Sequence, residues 1–253
     1  MIVAAHSNIG NHRSVNEDSL CVKVASSDFG DYVMVVVCDG MGGLSKGELA
    51  SATVVEMFSD WFDLELPKLL VKENFAQKVK DQWGDLICRA NRDILQYGKH
   101  LNKTMGTTVS AMLFCRDEYY IIAHVGDSRV YQIDTDVLQL TEDQTVAARE
   151  VRSQRMSPEY AKNSPSQHIL LQCVGASSEV NPVFYEGTVK KRCCYLLCTD
   201  GFYHIPQEWE WKDAFMRSEE WDEIRLHDQI FEVAESIISR GETDNLSAVV
   251  VMA

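Results

Sequence analysis

No stretch of this 253-residue chain is long and apolar enough to span a bilayer. The opening MIVAAHSNIG lacks the basic start and long apolar segment of a secretion signal. A C-x-x-C pair with metal-ligand spacing is missing too; Cys194 and Cys198 come nearest, in a strand-like run. The eight cysteines sit inside apolar segments such as VVVCDG, LFCRD and LLCTDG, which predicts buried reduced thiols rather than a disulfide framework. Positive charge is scarce. The formal net charge of −14 argues against nucleic acid or an anionic membrane surface as a partner. Repeats, low-complexity tracts and linkers are absent as well. What remains is the expectation of a soluble cytoplasmic protein, and 45% hydrophobic residues can fill a sizeable core.

What is present begins with Tyr32–Gly43, YVMVVVCDGMGG. A short β-branched run bounded by turn residues reads as a strand buried on both faces. It ends in Asp39-Gly40, where glycines let backbone approach whatever the carboxylate binds. Alone, DGMGG reads equally well as a turn. Leu20–Ala25 pairs with this strand around SSDFGD, and Ser45 to Glu48 has the form of a capping box opening a helix to about Phe62. Leu64–Leu70 is a connector, and a second amphipathic helix runs from about Glu73 to Tyr97. Strand-like segments follow from Gly106, among them TTVSAMLFC, EYYIIAHV, SRVYQID, HILLQCVG and CCYLLC. The polar stretch 142–167 reads as short helical pieces in a mobile insert. A helix over about Asp222–Ser239 and a strand over Asn245–Met252 close the chain. Strands in two blocks with helical pairs to cover them predict a single α+β domain over 1–253.

The grammar of the first strand recurs. CYLLCTDG ends in Asp200-Gly201, EYYIIAHVGDSR ends in Gly126-Asp127, and Asp244 stands just before the last strand. Aspartate is depleted in strands and costly to bury alone. If the four converge they repel one another, unless divalent cations such as Mg²⁺ or Mn²⁺, which prefer oxygen ligands, neutralise them. Four unrelated turns are the alternative. The segment RSVNED supplies Arg13, suited to gripping a phosphate, beside Glu17 and Asp18, which could hold waters on a metal; a surface ion-pair cluster would read the same way.

R-x-x-N-E-D, DGMGG, G-E-x-A-S, M-G-T-T, V-G-D-S-R, L-T-x-D, LLCTDG and T-D-N-L-S occur in this order from about Gly10 to Val251. The chain thereby resembles the metal-dependent serine/threonine protein phosphatases of the type 2C (PPM) family, particularly their compact bacterial members. The resemblance implies a β-sandwich of two mostly antiparallel sheets flanked by helices on both outer faces. It implies two Mn²⁺ or Mg²⁺ ions, bridged by Asp39, with the Gly40 carbonyl on one and Asp200 and Asp244 on the other. Glu17 and Asp18 would act through metal-bound water, and Arg13 would bind the substrate phosphate. Asp127, with Asp200, would hold a possible third metal, and residues 145–165 would form a flap. Phosphoserine and phosphothreonine proteins are the implied substrates, hydrolysed without a phosphoenzyme by a monomer that opposes a protein kinase. No C-x-x-x-x-x-R loop is present to suggest a covalent route.

Two positions depart from the wider family pattern: Met41 where many eukaryotic relatives carry histidine, and Gln144 where histidine often follows L-T-x-D. His124, inside a strand, reads first as a core residue, while His204 stands where some relatives have a metal-binding aspartate. Two rival readings are a non-catalytic module on the same fold and a hydrolase of small phosphoesters. Retention of Arg13 and all four aspartates weighs against the first; substrate choice lies in the flap and surface, so fold and metals leave the second open.

Overall fold

The structure is a computed structural model and describes residues 1–41, 46–162, 164–216 and 221–253. β1 (Ile2–Asn8) is followed by the hairpin β2 (Ser19–Ser27) and β3 (Gly30–Cys38), then by the two-residue β4 (Gly40–Met41). Three helices follow, α1 (Gly47–Leu64), α2 (Leu66–Leu69) and α3 (Phe75–Leu101). The second strand block comprises β5 (Gly106–Thr107), β6 (Val109–Cys115), β7 (Tyr119–Val125), β8 (Arg129–Ile133) and β9 (Val137–Gln139). After it come α4 (Val146–Arg152), α5 (Pro158–Ala161) and a 3-10 turn, Pro165–His168. The chain ends with β10 (Val183–Thr188), β11 (Cys194–Cys198), α6 (Asp200–Tyr203), α7 (Glu208–Phe215), α8 (Glu223–Ser239) and β12 (Leu246–Met252).

Two five-stranded sheets result, ordered β1-β12-β11-β8-β9 and β10-β7-β6-β3-β2, with every pairing antiparallel. Side-chain alternation along β3 explains how they stack. Val33, Val35 and Val37 join Met112, Phe114, Tyr195, Leu197 and Val249 between the sheets. Tyr32, Met34, Val36 and Cys38 face the opposite way, into a cluster with Phe58, Trp61, Trp83 and Ile87 of α1 and α3. On the other sheet Cys194, Leu196 and Cys198 pack under Trp211, Phe215, Leu226 and Ile230 of α7 and α8. The layers therefore run helix, sheet, sheet, helix, as the resemblance implied. Central strands covered on both faces read as unbroken apolar runs even though they are antiparallel, where alternation is the commoner pattern. Each large side chain in these layers contributes about 1.5–3 kcal/mol by leaving water. Trp83 is fully buried, edge-on to Phe58 at 5.2 Å and Trp61 at 5.4 Å.

Three local expectations change. The connector contains a helical turn, α2, because Pro67 sits in its first turn, where a missing N–H costs no hydrogen bond. HILLQCVG is not a strand: Leu170 bridges Thr145 and Val174 bridges Thr107, so its backbone is divided between two partners and no ladder forms. Ile169 and Leu171 accordingly stay exposed. Gly42, Gly43 and the capping-box Ser45 lie outside the described residues. The insert does form short helical pieces, α4, α5 and the 3-10 turn.

Candidate active site

Asp39 follows β3 directly, and its backbone is locked by the junction of β5 and β6. The Thr107 hydroxyl and the Thr108 N–H both donate to the Asp39 carbonyl at 2.9 Å. The Asp39 N–H in turn donates to Thr108 Oγ1 at 2.9 Å. The M-G-T-T segment is thus a clamp on the strand tip. The Gly40 N–H donates to the Glu17 carbonyl at 3.1 Å. A Cβ at Gly40 would stand 2.3 Å from that oxygen and 2.4 Å from the Gly47 carbonyl oxygen, so only glycine fits.

The first segment is held by groups far along the chain. Asn245 accepts the Glu17 N–H at 2.9 Å through Oδ1, while its amide donates to the carbonyls of Ile9 at 2.9 Å and Val15 at 3.2 Å. The Ser51 hydroxyl donates to the Glu17 carbonyl at 2.6 Å. Glu17 Oε1 accepts the Gly47 N–H at 3.0 Å and so serves an unpaired donor at the start of α1. Arg13 stands half-exposed on the rim with Nη2 2.6 Å from Asp244 Oδ2. Asp18 lies behind the cleft, buried, with the Thr199 hydroxyl donating to its Oδ2 at 2.8 Å.

Asp127 lies where the chain passes from one sheet to the other, between β7 and β8. Gly126 makes the turn at φ +105°, and a Cβ there would stand 2.6 Å from Thr108 Cγ2. Arg129, two residues on, forms a two-pronged pair with Asp143, Nε to Oδ1 at 2.9 Å and Nη2 to Oδ2 at 2.7 Å. Its guanidinium lies 3.7 Å from the centroid of the Tyr203 ring, whose hydroxyl donates to the Asp127 carbonyl at 3.1 Å. V-G-D-S-R, L-T-x-D and the segment after Asp200 therefore interlock.

Asp39, Asp127, Asp200 and Asp244 converge with Arg13, Glu17, Gly40 and Met41 on one cleft of about 230 Å³. A larger groove, about 580 Å³ between α1 and α3, shares none of these residues. The convergence is electrostatically costly. Burial, and then the charges of Asp200, Asp18, Asp127 and Asp244, hold the Asp39 carboxyl well above the usual range. Burial and Asp200 push Asp127 up to about 7, and burial pushes Asp18 to about 7 against its hydrogen bonds from Thr199 and Ser247. Asp200 and Glu17 are raised as well, first by burial. Carboxylates forced together in a polar cleft, all hard oxygen donors, fit divalent cations of the Mg²⁺ or Mn²⁺ kind.

The sequence pattern of Protein phosphatase 2C matches residues 10–249. The chain belongs to the protein phosphatase 2C family. The serine/threonine phosphatase stp of Listeria innocua is 33% identical over 184 residues, covering 71% of this chain and 70% of that protein. The crystal structure of serine/threonine phosphatase Stp1 from Staphylococcus aureus shares the fold with a TM-score of 0.85 at 23% identity, over 100% of this chain and 95% of that one. The catalytic domain of PstP, solved in complex with two manganese ions, superimposes with a TM-score of 0.77 at 26% identity, covering 98% of this chain and 96% of that one.

Against the type 2C pattern, the departures now have places. Met41 lines the cleft and carries no transferable proton. Gln144 ties the insert to the Asp127 turn: its side-chain Oε1 accepts the Gly126 N–H at 2.9 Å and its backbone N–H donates to the Gly126 carbonyl at 2.8 Å. His124 is fully buried between Ser110 (3.0 Å) and the Glu142 carbonyl (3.1 Å), and burial pushes it down to about 4. It is a neutral core residue. The supporting groups that sequence reasoning passed over are the hydroxyls of Thr107, Thr108 and Thr199 and the amide of Asn245. Their only signal was membership of M-G-T-T, C-T-D-G and T-D-N in the type 2C motif series.

Proposed function

We propose that this chain hydrolyses phosphoserine and phosphothreonine in proteins by direct attack of water, without a phosphoenzyme. The observation that carries the reading is the meeting of four strand-end aspartates in one cleft with Arg13 on its rim. Two divalent cations, Mn²⁺ or Mg²⁺, would be held by Asp39, the Gly40 carbonyl, Asp200 and Asp244, with a third at Asp127 and Asp200. Bound there, they would offset the carboxylate charge and lower the pKa of an attacking water.

The chain's own groups supply the rest. Arg13 offers a guanidinium fork to the phosphoryl oxygens, exchanging its contact with Asp244 for the substrate. Thr107 and Thr108 hold the backbone that carries the Asp39 carboxylate, which limits its reorganisation as charge develops. Glu17, pinned by Gly47, offers its other oxygen to water in the cleft. Asp18 and Thr199 stand beneath as a buried prop. A covalent route has no support here, because Cys38 and Cys198 are fully buried and burial pushes both thiols up. The same reading makes 1–253 one catalytic domain, with the insert as a flap beside the cleft. Its partners are phosphoproteins made by an opposing protein kinase, and it works as a cytoplasmic monomer. Among the described residues no helix is long and apolar enough to cross a membrane.

The test is hydrolysis of p-nitrophenyl phosphate and of a phosphothreonine peptide, with Mn²⁺ and with chelator, for the wild type and Asp39→Asn. Metal-dependent release from both substrates, lost in the variant, is expected. A folded, metal-loaded wild type that turns over neither would overturn the reading.

A further inference from the structure

We propose that Gln144 and Gln172 clasp together the segments that enter and leave the insert and, by holding Leu170 against the cleft, set how tightly a phosphopeptide is bound; this rests on the phosphatase reading above. Among the described residues lining the cleft, only Met41 and Leu170 carry apolar side chains. Leu170 therefore offers the carbon skeleton beside a bound phosphate one of its few apolar contacts. It is half-buried, while Ile169 and Leu171 on either side stay exposed, as alternation along extended backbone requires.

Two backbone hydrogen bonds cross between the legs of the insert. The Val146 N–H donates to the Ile169 carbonyl at 2.8 Å, and the Leu171 N–H donates to the Gln144 carbonyl at 2.7 Å. The glutamine side chains close the base. Gln144 Oε1 accepts the Gly126 N–H at 2.9 Å and one hydrogen of the Gln172 amide at 2.8 Å. Gln172 donates its other amide hydrogen to the Asn181 carbonyl at 2.8 Å, and its Oε1 accepts the Asn181 N–H at 2.9 Å. The chain that leaves Leu170 is thereby tied on one side to the Asp127 turn and on the other to the approach to β10.

The clasp depends on an amide at position 144. An amide oxygen has two lone pairs, and Gln144 uses both. Histidine, which often follows L-T-x-D in the type 2C pattern, has a single acceptor nitrogen on its neutral ring. It could hold Gly126 or Gln172 but not both. Neither glutamine lines the cleft, so both are positioning residues, and Leu170 is the group that meets the peptide. Loss of a contact made equally in the bound state and the transition state raises KM and spares kcat. Releasing Gln172 should do that. Removing both acceptors of Gln144 also frees the Gly126 N–H beside Asp127, and should lower kcat as well.

The experiment measures KM and kcat on a phosphothreonine peptide with Mn²⁺ for the full chain, Gln172→Met, Gln144→His, Gln144→Met and the double variant Gln144→His/Gln172→Met. Assays run at about pH 8, where an ordinary histidine is neutral. Amide hydrogen exchange at Leu171 is followed in parallel without metal or substrate. In Gln172→Met and Gln144→His, KM should rise at least about tenfold while kcat stays within about threefold, and Leu171 should exchange faster. The double variant should be no worse than either single one, because both remove the same contact. Only Gln144→Met should lose kcat too. An unchanged KM in Gln172→Met, a loss of kcat there equal to that in Gln144→Met, or additive effects in the double variant would overturn the clasp. A wild type that hydrolyses nothing defeats the phosphatase reading and leaves exchange at Leu171 to decide whether the clasp holds the insert. An active enzyme whose KM ignores Gln172→Met defeats the clasp alone.

Discussion

The clamp on Asp39 can be tested one hydroxyl at a time with valine, which keeps the shape of threonine and removes its oxygen. Thr108→Val leaves the Asp39 N–H without its partner at a site where Thr108 is fully buried. An unsatisfied buried donor costs about 1–3 kcal/mol. Thr107→Val removes a bond from a carbonyl that still accepts the Thr108 N–H at 2.9 Å, so about 1 kcal/mol or less is expected. In a chain of this size each kcal/mol moves the melting temperature by about 2–4 °C. Chelated Thr108→Val should therefore melt roughly 4–8 °C below the wild type for a 2 kcal/mol loss, and Thr107→Val no more than about 4 °C below. Function should separate the two further. Loosening the tip carrying Asp39 should weaken Mn²⁺ binding about 10–100-fold in Thr108→Val, as outer supports of metal ligands do. Calorimetric titration of Mn²⁺ beside thermal unfolding reads both quantities. Equal destabilisation by the two variants, or a Thr108→Val protein that melts early yet binds Mn²⁺ like the wild type, would refute the clamp.

Arg13 and Asp244 form a half-exposed pair, so Arg13→Ala should change stability by under about 1 kcal/mol while lowering kcat/KM on p-nitrophenyl phosphate at least tenfold; a large stability loss would assign Arg13 a structural role instead. Asp127 and Asp18 are raised to about 7 from an unfolded value of 3.8, so between those values the folded chelated protein binds more protons than the unfolded one. Its stability from these groups is greatest near pH 4 and falls as pH rises to about 7. The buried His124, lowered to about 4, works the opposite way in both metal-loaded and chelated protein and cancels in their difference. The gain in melting temperature on adding Mn²⁺ should accordingly grow from pH 5 to pH 8, and a flat difference would show that the carboxylates do not titrate as described. Replacing the insert arginines Arg149, Arg152 and Arg155 with alanine should change preference among phosphopeptides while leaving hydrolysis of a small aryl phosphate intact; equal loss on both would remove the flap role.

The strand tips were legible because a strand covered on both faces leaves an unbroken apolar word, and Asp39 and Asp200 stand where such words end. The long helices were legible through period: α3 was expected over about Glu73–Tyr97 and spans Phe75–Leu101. HILLQCVG misled because its apolar residues look like a strand, while the hydrogen bonds that decide the matter come from Thr107 and Thr145, far from it in sequence. Asn245 was invisible for a similar reason. Its side chain joins three backbone groups at residues 9, 15 and 17, and no local pattern announces a contact more than 200 positions away. Glu17 looked like a water-holding carboxylate, and the structure adds its bond to the first turn of α1, which depends on packing rather than spacing.

The cleft straddles the seam of the sandwich. Asp39 extends from β3 in one sheet, Asp200 and Asp244 adjoin β11 and β12 in the other, and Asp127 lies on the crossing between β7 and β8. The separation of these carboxylates is therefore a gauge of how the two sheets are seated on each other. Sliding one sheet by a fraction of an ångström re-spaces donors that no substitution has touched. Core residues such as Met112 and Tyr195, packed between the sheets, consequently bear on the spacing of these carboxylates as well as on the stability of the fold.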